Sequence, residues 1–425
     1  MYGLLPPRRA APNNRLPGSG RMAKVGGYFQ RAALAAQRMG GGVGEQGEVM
    51  LPSAGWLGLS YFTYFFSFGV FLPFWSLWLQ AQGVAPESIG ILLGAGMGAR
   101  FLGSLFITPA VKKTSHLIVA LRLVTLIALF AGVAFMLGNA WAWLLAVMIG
   151  FSLFYGPLVP LTDALAATWQ RQIGLDYGKV RLWGSLAFII GSAVTGELVN
   201  AFGQQAILYS LLAGLLAMLL GMLPRPSKPP QDGPARQAAQ VTPWSRLLRE
   251  RTVWRFLLCC ALLQGAHAGY YAFSTLFWSQ AGYSASLIGY LWSLGVVAEV
   301  IIFALSHRLF RRWTVSGLLL LSCLCALLRW LMMGATTALP WLVAMQILHA
   351  GTFTVCHLAA MRFISARQGG DVIRLQAVYS ALGMGGSVAL MTVLAGVVYQ
   401  YSPSSTFYLM ALMVTPVLFL RPGVR

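Results

Sequence analysis

The chain has 425 residues, 58% of them hydrophobic and 9% charged, with a mean hydropathy of +0.70, whereas soluble domains carry about a quarter charged residues. That composition excludes a soluble globular protein, a secreted disulfide scaffold, a disordered chain and a nucleic-acid-binding domain, despite a formal net charge of +20. It points to an all-α membrane protein that crosses the bilayer many times, and the basicity then needs a membrane explanation.

Residues 1–55 read as a basic, disordered N-terminal extension. Up to Val49 they hold seven cations (Arg8, Arg9, Arg15, Arg21, Lys24, Arg31, Arg38) against Glu45 and Glu48, plus a glycine run at Gly40 to Gly42. No apolar core of signal-peptide length is present. Gln46-Gly47-Glu48-Val49 can be encoded by a purine-rich ribosome-positioning stretch, so Met50 is expected to be the true start.

From Trp56 onward, apolar runs of the length that crosses about 30 Å of hydrocarbon recur twelve times. They run from Trp56 to Leu79, Ser88 to Pro109, Leu117 to Leu137, Trp141 to Trp169, Arg181 to Phe202 and Gln205 to Leu223. After an interruption they continue from Trp254 to Trp278, Leu287 to Leu305, Val315 to Gly334, Trp341 to Phe363, Leu375 to Tyr399 and Thr406 to Leu420. The fourth looks overlong and the last short.

The loops between these runs alternate in charge. Lys112 and Lys113, Arg171 and Lys179, Arg225 to Arg255, Arg308 with Arg311 and Arg312, Arg367 and Arg374, and Arg421 fall at one end of the helices. The loops around Gln82, Asn139, Gly203, Gly282, Ala338 and Ser402 contain no Lys or Arg. Because short cytoplasmic loops retain basic residues, both termini are expected in the cytoplasm. The same asymmetry accounts for the net charge.

Residues 224–253, rich in Pro, Gln and Arg, read as a cytoplasmic linker with turn signals at Lys228-Pro229-Pro230 and Asp232-Gly233-Pro234. A six-helix bundle (56–223) precedes it, and a second (254–421) follows, with a short tail at 422–425. An offset of 199 residues maps Gly83 onto Gly282, Ile89 onto Ile288, Gly90 onto Gly289, Gly96 onto Gly295, Lys112-Lys113 onto Arg311-Arg312, and Arg100 onto Glu299. Two pseudo-symmetric bundles suit a transporter whose halves rock about a central site.

Charged groups within the apolar runs need a reason, because each costs at least about 2.5–3.5 kcal/mol on insertion scales. Arg100 lies mid-span, beyond the snorkelling reach of its stem. Asp163 lies in the fourth span, Arg181 opens the fifth, Glu299 lies in the eighth and Arg329 in the ninth. Two readings stand: structural ion pairs between helices, or an aqueous cavity in which arginines hold an anionic or hydroxyl-rich substrate and a carboxylate carries a proton. Arg181 can also be a simple helix-end anchor.

His267, His349 and His357 are either neutral packing histidines or members of that cavity. No metal site is expected, because His349 and His357 are eight residues apart with no acidic or cysteine ligand to complete a set. All five cysteines lie in apolar runs, so no disulfide is expected, and Cys323 and Cys325 read as packing residues. Along the first span Tyr64, Phe68, Phe71, Trp75 and Trp78 share one face at helical spacing. This stripe reads as helix packing or as a stacking surface for a ring-bearing substrate, with His267 and Tyr270 as counterparts in the seventh span. Gly94-x-x-x-Gly98 and Gly383-x-Gly385-Gly386 suit close helix approach, and no phosphate-binding loop is present.

The segments YFTYFFSFGVFLPFW (61–75), LTDALA (161–166), DYGKVRLWGS (176–185), QGAHA (264–268) and YLWSLGVVAEV (290–300) resemble the phenylpropionate permease family of the major facilitator superfamily, from about Met50 to Pro422. The resemblance implies a twelve-helix, monomeric symporter in the bacterial inner membrane, with 3-phenylpropionate or a related aromatic acid as substrate, the proton as its partner, and no cofactor. More distantly the chain is similar to the lactose permease family, whose fourth-span acid and fifth-span Arg fall on Asp163 and Arg181. That family's eighth-span Glu falls on Glu299, its ninth-span Arg on Arg329 and its tenth-span His on His349. Thr352 stands where it has a proton-carrying Glu, and Gln346 and Met384 where it has Lys. The superfamily's signature between spans two and three is reduced to Pro109-Ala-Val-Lys-Lys.

The reading that follows is a proton-coupled carrier for an aromatic monocarboxylate. Arg100 or Arg181 is expected to meet the carboxylate, Glu299 and Asp163 to exchange protons, Arg329 and His349 to tune them, and Phe71, Trp75 and Trp78 to flank the ring. A proton-coupled sugar or nucleoside symporter is the alternative, since an Asp163/Arg181 pair also suits hydroxyls.

Overall fold

The computed structural model describes residues 50–232, 247, 249–367 and 370–423. The expected basic extension over 1–49, the linker stretch 233–246 and residue 248, and the last two residues of the tail lie outside the described residues. The chain forms α1 (Ser53–Ala81), α2 (Pro86–Ala110), α3 (Thr114–Met136), α4 (Trp141–Ile173), α5 (Tyr177–Phe202) and α6 (Gln205–Gly221). The second half forms α7 (Arg251–Gln280), α8 (Ala285–Phe310), α9 (Val315–Ala335), α10 (Leu339–Ser365), α11 (Arg374–Tyr401) and α12 (Pro403–Leu420). Among the described residues eleven of these are long and apolar enough to cross a membrane. The twelfth, α6, is equally apolar at 17 residues.

Local sequence sets the helix ends. Asp176, Ser284, Thr314 and Ser402 cap α5, α8, α9 and α12 through side-chain oxygens that accept from backbone N–H groups three residues on. Hydrogen bonds from Lys179 hold the Asp176 carboxyl below its ordinary range. Gly83 and Gly282 both take positive φ, 83° and 91°, a conformation that glycine reaches without strain. The repeat offset thus lands on two turns of the same geometry.

Several spans are interrupted: the seventh breaks into Arg251–Gly265 and Ala268–Gln280 and the twelfth into Pro403–Val414 and Val417–Leu420. The overlong fourth breaks at Gly156-Pro157 into Trp141–Tyr155 and Leu158–Ile173, since proline removes a helical donor and clashes with the preceding turn. The tenth and eleventh widen into π-helical turns at Ala350–Thr354 and Tyr379–Gly386. Such turns cluster at functional sites.

The first helix starts at Ser53, and Met50–Leu51 (β1) pairs in parallel with Arg225–Pro226 (β2). Residues 50–55 therefore belong with the first bundle, which corrects the expected extension of 1–55. The physical reason is satisfaction of the linker's backbone. Trp56 Nε1 donates to Pro224 O and Trp169 Nε1 to Lys228 O, at 3.0 and 3.1 Å. Arg122 donates to the carbonyls of Met222 and Leu223. The first residues of the linker are thereby tied to α1, α3 and α4.

Large apolar side chains such as Phe106, Phe130, Phe202, Leu390, Leu412 and Phe419 stay exposed around the outside, a girdle that only lipid can cover. The halves, α1–α6 and α7–α12, meet along α5 with α8, α2 with α11, and α1 with the second part of α7. These contacts concentrate towards the end whose loops lack Lys and Arg. Ser192 and Ser293 hydroxyls lie 2.8 Å apart there, Thr275 donates to Pro73 O, and Tyr290 donates to Glu197. Towards the basic end α5 and α8 diverge, leaving a groove of about 490 Å³ between Lys179, Trp183, Leu186 and Val297, Ile301.

Candidate functional site

Charged groups within the spans of each half lie against aromatic faces. In the first half Arg100 and Arg181 are each partly exposed and neither has a carboxylate within ion-pair distance among the described residues. The Arg100 guanidinium lies over Phe68 at 4.6 Å and donates to the Tyr64 hydroxyl at 2.5 Å. That of Arg181 lies over Phe65 at 4.1 Å and Tyr61 at 5.5 Å. Ring faces supply part of the electrostatic stabilisation that a cation loses on leaving water. They also leave the N–H edges available for an anion.

Asp163 sits on the broken fourth helix beside them. Its Oδ1 accepts from Tyr61 at 2.5 Å and from Tyr177 at 3.2 Å. The Asp163/Arg181 pair drawn from the sequence does not form, because the Tyr61 ring stands between the two groups and its hydroxyl satisfies the acid.

The second half holds a continuous chain of donors and acceptors. Arg329 Nη1 lies 2.8 Å from His349 Nδ1, and His349 Nε2 lies 2.7 Å from Glu299 Oε1. A guanidinium has donors only, so Nδ1 must be the accepting nitrogen and Nε2 carries the proton that His349 donates to Glu299. A parallel branch runs from Arg329 Nη1 to Thr352 Oγ1 at 3.3 Å and on to His267 Nε2 at 2.9 Å. His267 Nδ1 faces Leu263 O at 3.0 Å; a carbonyl accepts only, so Nδ1 carries a proton and donates it. The π-helical turn after His349 carries Thr352, which brings both branches onto one arginine. Arg329 itself is sandwiched by Tyr270 at 4.3 Å and Trp330 at 4.5 Å.

Arg329 and His267 are fully buried and Tyr270 is 1% exposed, so in this state they support Glu299 and His349 rather than border the gap. Trp75 and Trp78, each 1% exposed, also depart from the expected ring-flanking position. They stack on one another at 4.7 Å and meet Phe135 of α3 edge-on, and Trp78 Nε1 donates to Gln205. Phe71, partly exposed, packs on Trp75, Phe151 and Tyr155. Along α1, continuous for 29 residues, only Phe68 and Phe71 in the middle of the stripe keep partial exposure, and Tyr64 at 2% is as buried as the two tryptophans.

Sequence reasoning passed over Tyr61, Phe65 and Tyr177 as site residues. The signal was present, since Tyr61, Phe65 and Phe68 recur at i, i+4 and i+7, one helical face beside the stripe. Gln346, which stands where the lactose permease family has a Lys, accepts from the Tyr270 hydroxyl at 2.8 Å. Tyr271 and Phe353, partly exposed beside His349 and His267, complete the aromatic side of the second half. Arg181 lies within electrostatic range of Glu299 across the gap. Among the described residues no cluster of His, Cys, Asp and Glu could hold a metal ion.

The MFS_1 like family model matches residues 55–410. The "Probable 3-phenylpropionic acid transporter" of Escherichia coli (strain K12) is 62% identical over 378 residues, 88% of this chain and 99% of that protein. The maltose permease of Geobacillus stearothermophilus is 28% identical over 83% of this chain and 89% of its own length. Among solved structures, the nucleoside transporter NupG aligns with a TM-score of 0.69 at 16% identity, covering 86% of this chain and 98% of that one. A bacterial homologue of the human lysosomal transporter Spinster, in an inward-facing and unoccupied conformation, aligns with a TM-score of 0.61 at 16% identity, over 87% and 94%.

Proposed function

The chain belongs to the MFS_1 like family, a family of membrane transporters, and on that premise we propose that it is a proton-coupled symporter importing 3-phenylpropionate or a related aromatic monocarboxylate by alternating access. The basic loops support a cytoplasmic linker and cytoplasmic termini in a bacterial inner membrane, and in this reading the divergent end faces inward. It works as a monomer, since each bundle pair encloses its own gap.

One observation carries the substrate class. Two arginines that have no salt-bridge partner among the described residues border the gap, each lying on a phenylalanine face. A planar carboxylate matches the guanidinium fork, and Phe65 and Phe68 offer the adjoining ring a stacking surface. The similar protein named for 3-phenylpropionic acid supports the choice of acid. The sugar or nucleoside alternative drew on a joined Asp163/Arg181 pair, and the separation of those groups weighs against it.

Glu299 is the proton carrier in this scheme. His349 cannot take a proton while its Nδ1 accepts from Arg329, so it donates to Glu299 and fixes the carboxylate's direction. Asp163, held by two phenols, is left a positioning role instead of proton exchange. A substrate carboxylate on Arg181 offsets a positive charge that faces Glu299, so substrate and proton each favour the other's binding.

The test is uptake of labelled 3-phenylpropionate into right-side-out vesicles under an inward proton gradient, with lactose and a nucleoside in parallel. Saturable, gradient-driven accumulation of the acid is expected. Glu299→Gln should abolish accumulation while leaving exchange of external for internal substrate. Accumulation of the sugar or nucleoside instead would overturn the substrate assignment, and accumulation unaffected by Glu299→Gln would overturn the proton role.

A further inference from the structure

The hydrogen-bond pattern around Asp163 has a use beyond holding two helices together. An arginine and an aspartate on neighbouring helices, both bordering one gap, would ordinarily close into an ion pair and leave no free charge for a ligand. Here Tyr61 and Tyr177 both donate to the same carboxylate oxygen, Oδ1. The Tyr61 ring meanwhile lies 5.5 Å below the Arg181 guanidinium, and Phe65 takes the rest of that face. The donors come from two sides, Tyr61 from α1 and Tyr177 from the start of α5, one turn before Arg181 itself. Tyr61 is 1% exposed, and its ring is wedged between Phe65 at 6.4 Å and Tyr177 at 6.5 Å, so it cannot swing aside.

We propose that Tyr61 and Tyr177 are positioning residues that hold the Asp163 carboxylate off Arg181 and so reserve that guanidinium for the carboxylate of an aromatic acid. The inference rests on the anionic-substrate reading above and adds the device that selects for it. A bound anion completes a charge-assisted, bidentate contact that the protein withholds from its own acid. An uncharged isostere of the same shape would leave the arginine unpaired over apolar rings, which disfavours it. Without the phenol donors, Asp163 would have one strong partner within reach, Arg181, and would compete with the substrate for it.

The experiment uses the full chain in lipid nanodiscs. Arginine modification by phenylglyoxal is followed by mass spectrometry at Arg181, with Arg100, which donates to Tyr64, as an internal reference. Binding of 3-phenylpropionate and of uncharged 3-phenylpropanamide is measured by calorimetry on the same samples. In Tyr61→Phe/Tyr177→Phe the rate of Arg181 modification should fall at least fivefold and the Kd for 3-phenylpropionate should rise about tenfold. Adding Asp163→Asn should return both to within about twofold of the parent. Tyr177→Phe alone, at an exposed position, should move both readouts part of the way and guards against a double variant that fails to fold. Unchanged Arg181 modification in the folded variants, or a loss that Asp163→Asn does not reverse, would overturn the proposal. If modification responds as expected but the parent binds neither ligand, the screening of Arg181 stands and the substrate assignment falls instead.

Discussion

Closure of the uncharged end depends on backbones that touch. A methyl group added at Gly90 on α2 would lie 2.8 Å from Gly396 Cα and 3.0 Å from Thr392 O on α11, with Gly396 N at 3.2 Å. All three are backbone atoms of a packed helix and cannot rotate away as a side-chain tip would. Overpacking of this kind costs about 1–3 kcal/mol. The cost applies only to the state in which α2 and α11 are in contact, so Gly90→Ala should shift the equilibrium away from that state by about 5–150-fold. The reciprocal change, Gly396→Ala, meets Gly90 Cα at 2.8 Å and Pro86 O at 3.0 Å and should act alike; because the two share one contact, their effects should not add. Gly98→Ala on the same helix meets nothing within 4 Å and serves as the neutral control. With the native cysteines replaced, spin labels at Ala81 and Ala338 report separation of the two halves at that end. In Gly90→Ala the distance distribution should gain or enlarge a long component and uptake should fall, while Gly98→Ala matches the parent. An unchanged distribution with full uptake in Gly90→Ala would refute the argument that this close approach is what lets the end shut.

Four further outcomes are expected. His349→Gln keeps an acceptor for Arg329 and a donor for Glu299 at similar separation, so it should retain at least tenfold more gradient-driven uptake than His349→Ala, each charge-assisted bond contributing about 1.5–3 kcal/mol. Trp75→Leu should lower thermal stability by about 1–3 kcal/mol with little change in the KM for 3-phenylpropionate, whereas Phe65→Leu should raise that KM with little change in stability. Binding of 3-phenylpropionate near neutral pH should take up protons from weakly buffered solution, and Glu299→Gln should remove that uptake. On the basic surface, Arg367 donates to both Glu250 oxygens at 2.7 and 2.8 Å, and this pairing, opposed in part by desolvation, holds the Glu250 carboxyl below its ordinary range. A depressed carboxyl contributes stability above its unfolded value and loses it as pH falls through the folded one. Glu250→Gln should therefore lower stability slightly at pH 7, by no more than about 1 kcal/mol for so exposed a pair, and the gap should close as the pH falls through the folded carboxyl's range.

The helices were legible because apolar length and loop charge are properties of composition, additive over twenty residues and insensitive to how neighbours pack. The repeat was legible for the same reason at Gly83 and Gly282, where a turn demanded a residue free of a β-carbon. The ion-bearing positions, too, stood out by the cost of placing them in hydrocarbon. What the sequence could not specify was direction. The stripe from Tyr64 to Trp78 reads as one face, yet Tyr64, Trp75 and Trp78 are buried against neighbouring helices and only Phe68 and Phe71 keep partial exposure, a tertiary fact with no local signature. Likewise Asp163 and Arg181 are natural partners by charge, and only the placement of Tyr61 from a distant helix decides that they stay apart. Thr352 shows the reverse case: it reads as the loss of an acid, but the widened turn at Ala350–Thr354 sets its hydroxyl between Arg329 and His267, where it passes a hydrogen bond on.

The division of labour between the halves follows from these placements. Cations with open N–H edges lie in the first half and a carboxylate fed by a histidine lies in the second, so in the proposed scheme the two ligands bind to bodies that move relative to one another. Where two unit charges face each other across a gap of effective dielectric about 20, neutralising one changes the other's energy by on the order of 2 kcal/mol. A coupling of that size is near the middle of the range that makes two ligands cooperative. It acts only while the halves are close enough for Arg181 to face Glu299. Once they rock apart the coupling lapses, and each ligand is released to the side then open on its own affinity. Coupling carried by the gap itself needs no acid at position 352, which is why a threonine there is compatible with proton-driven transport.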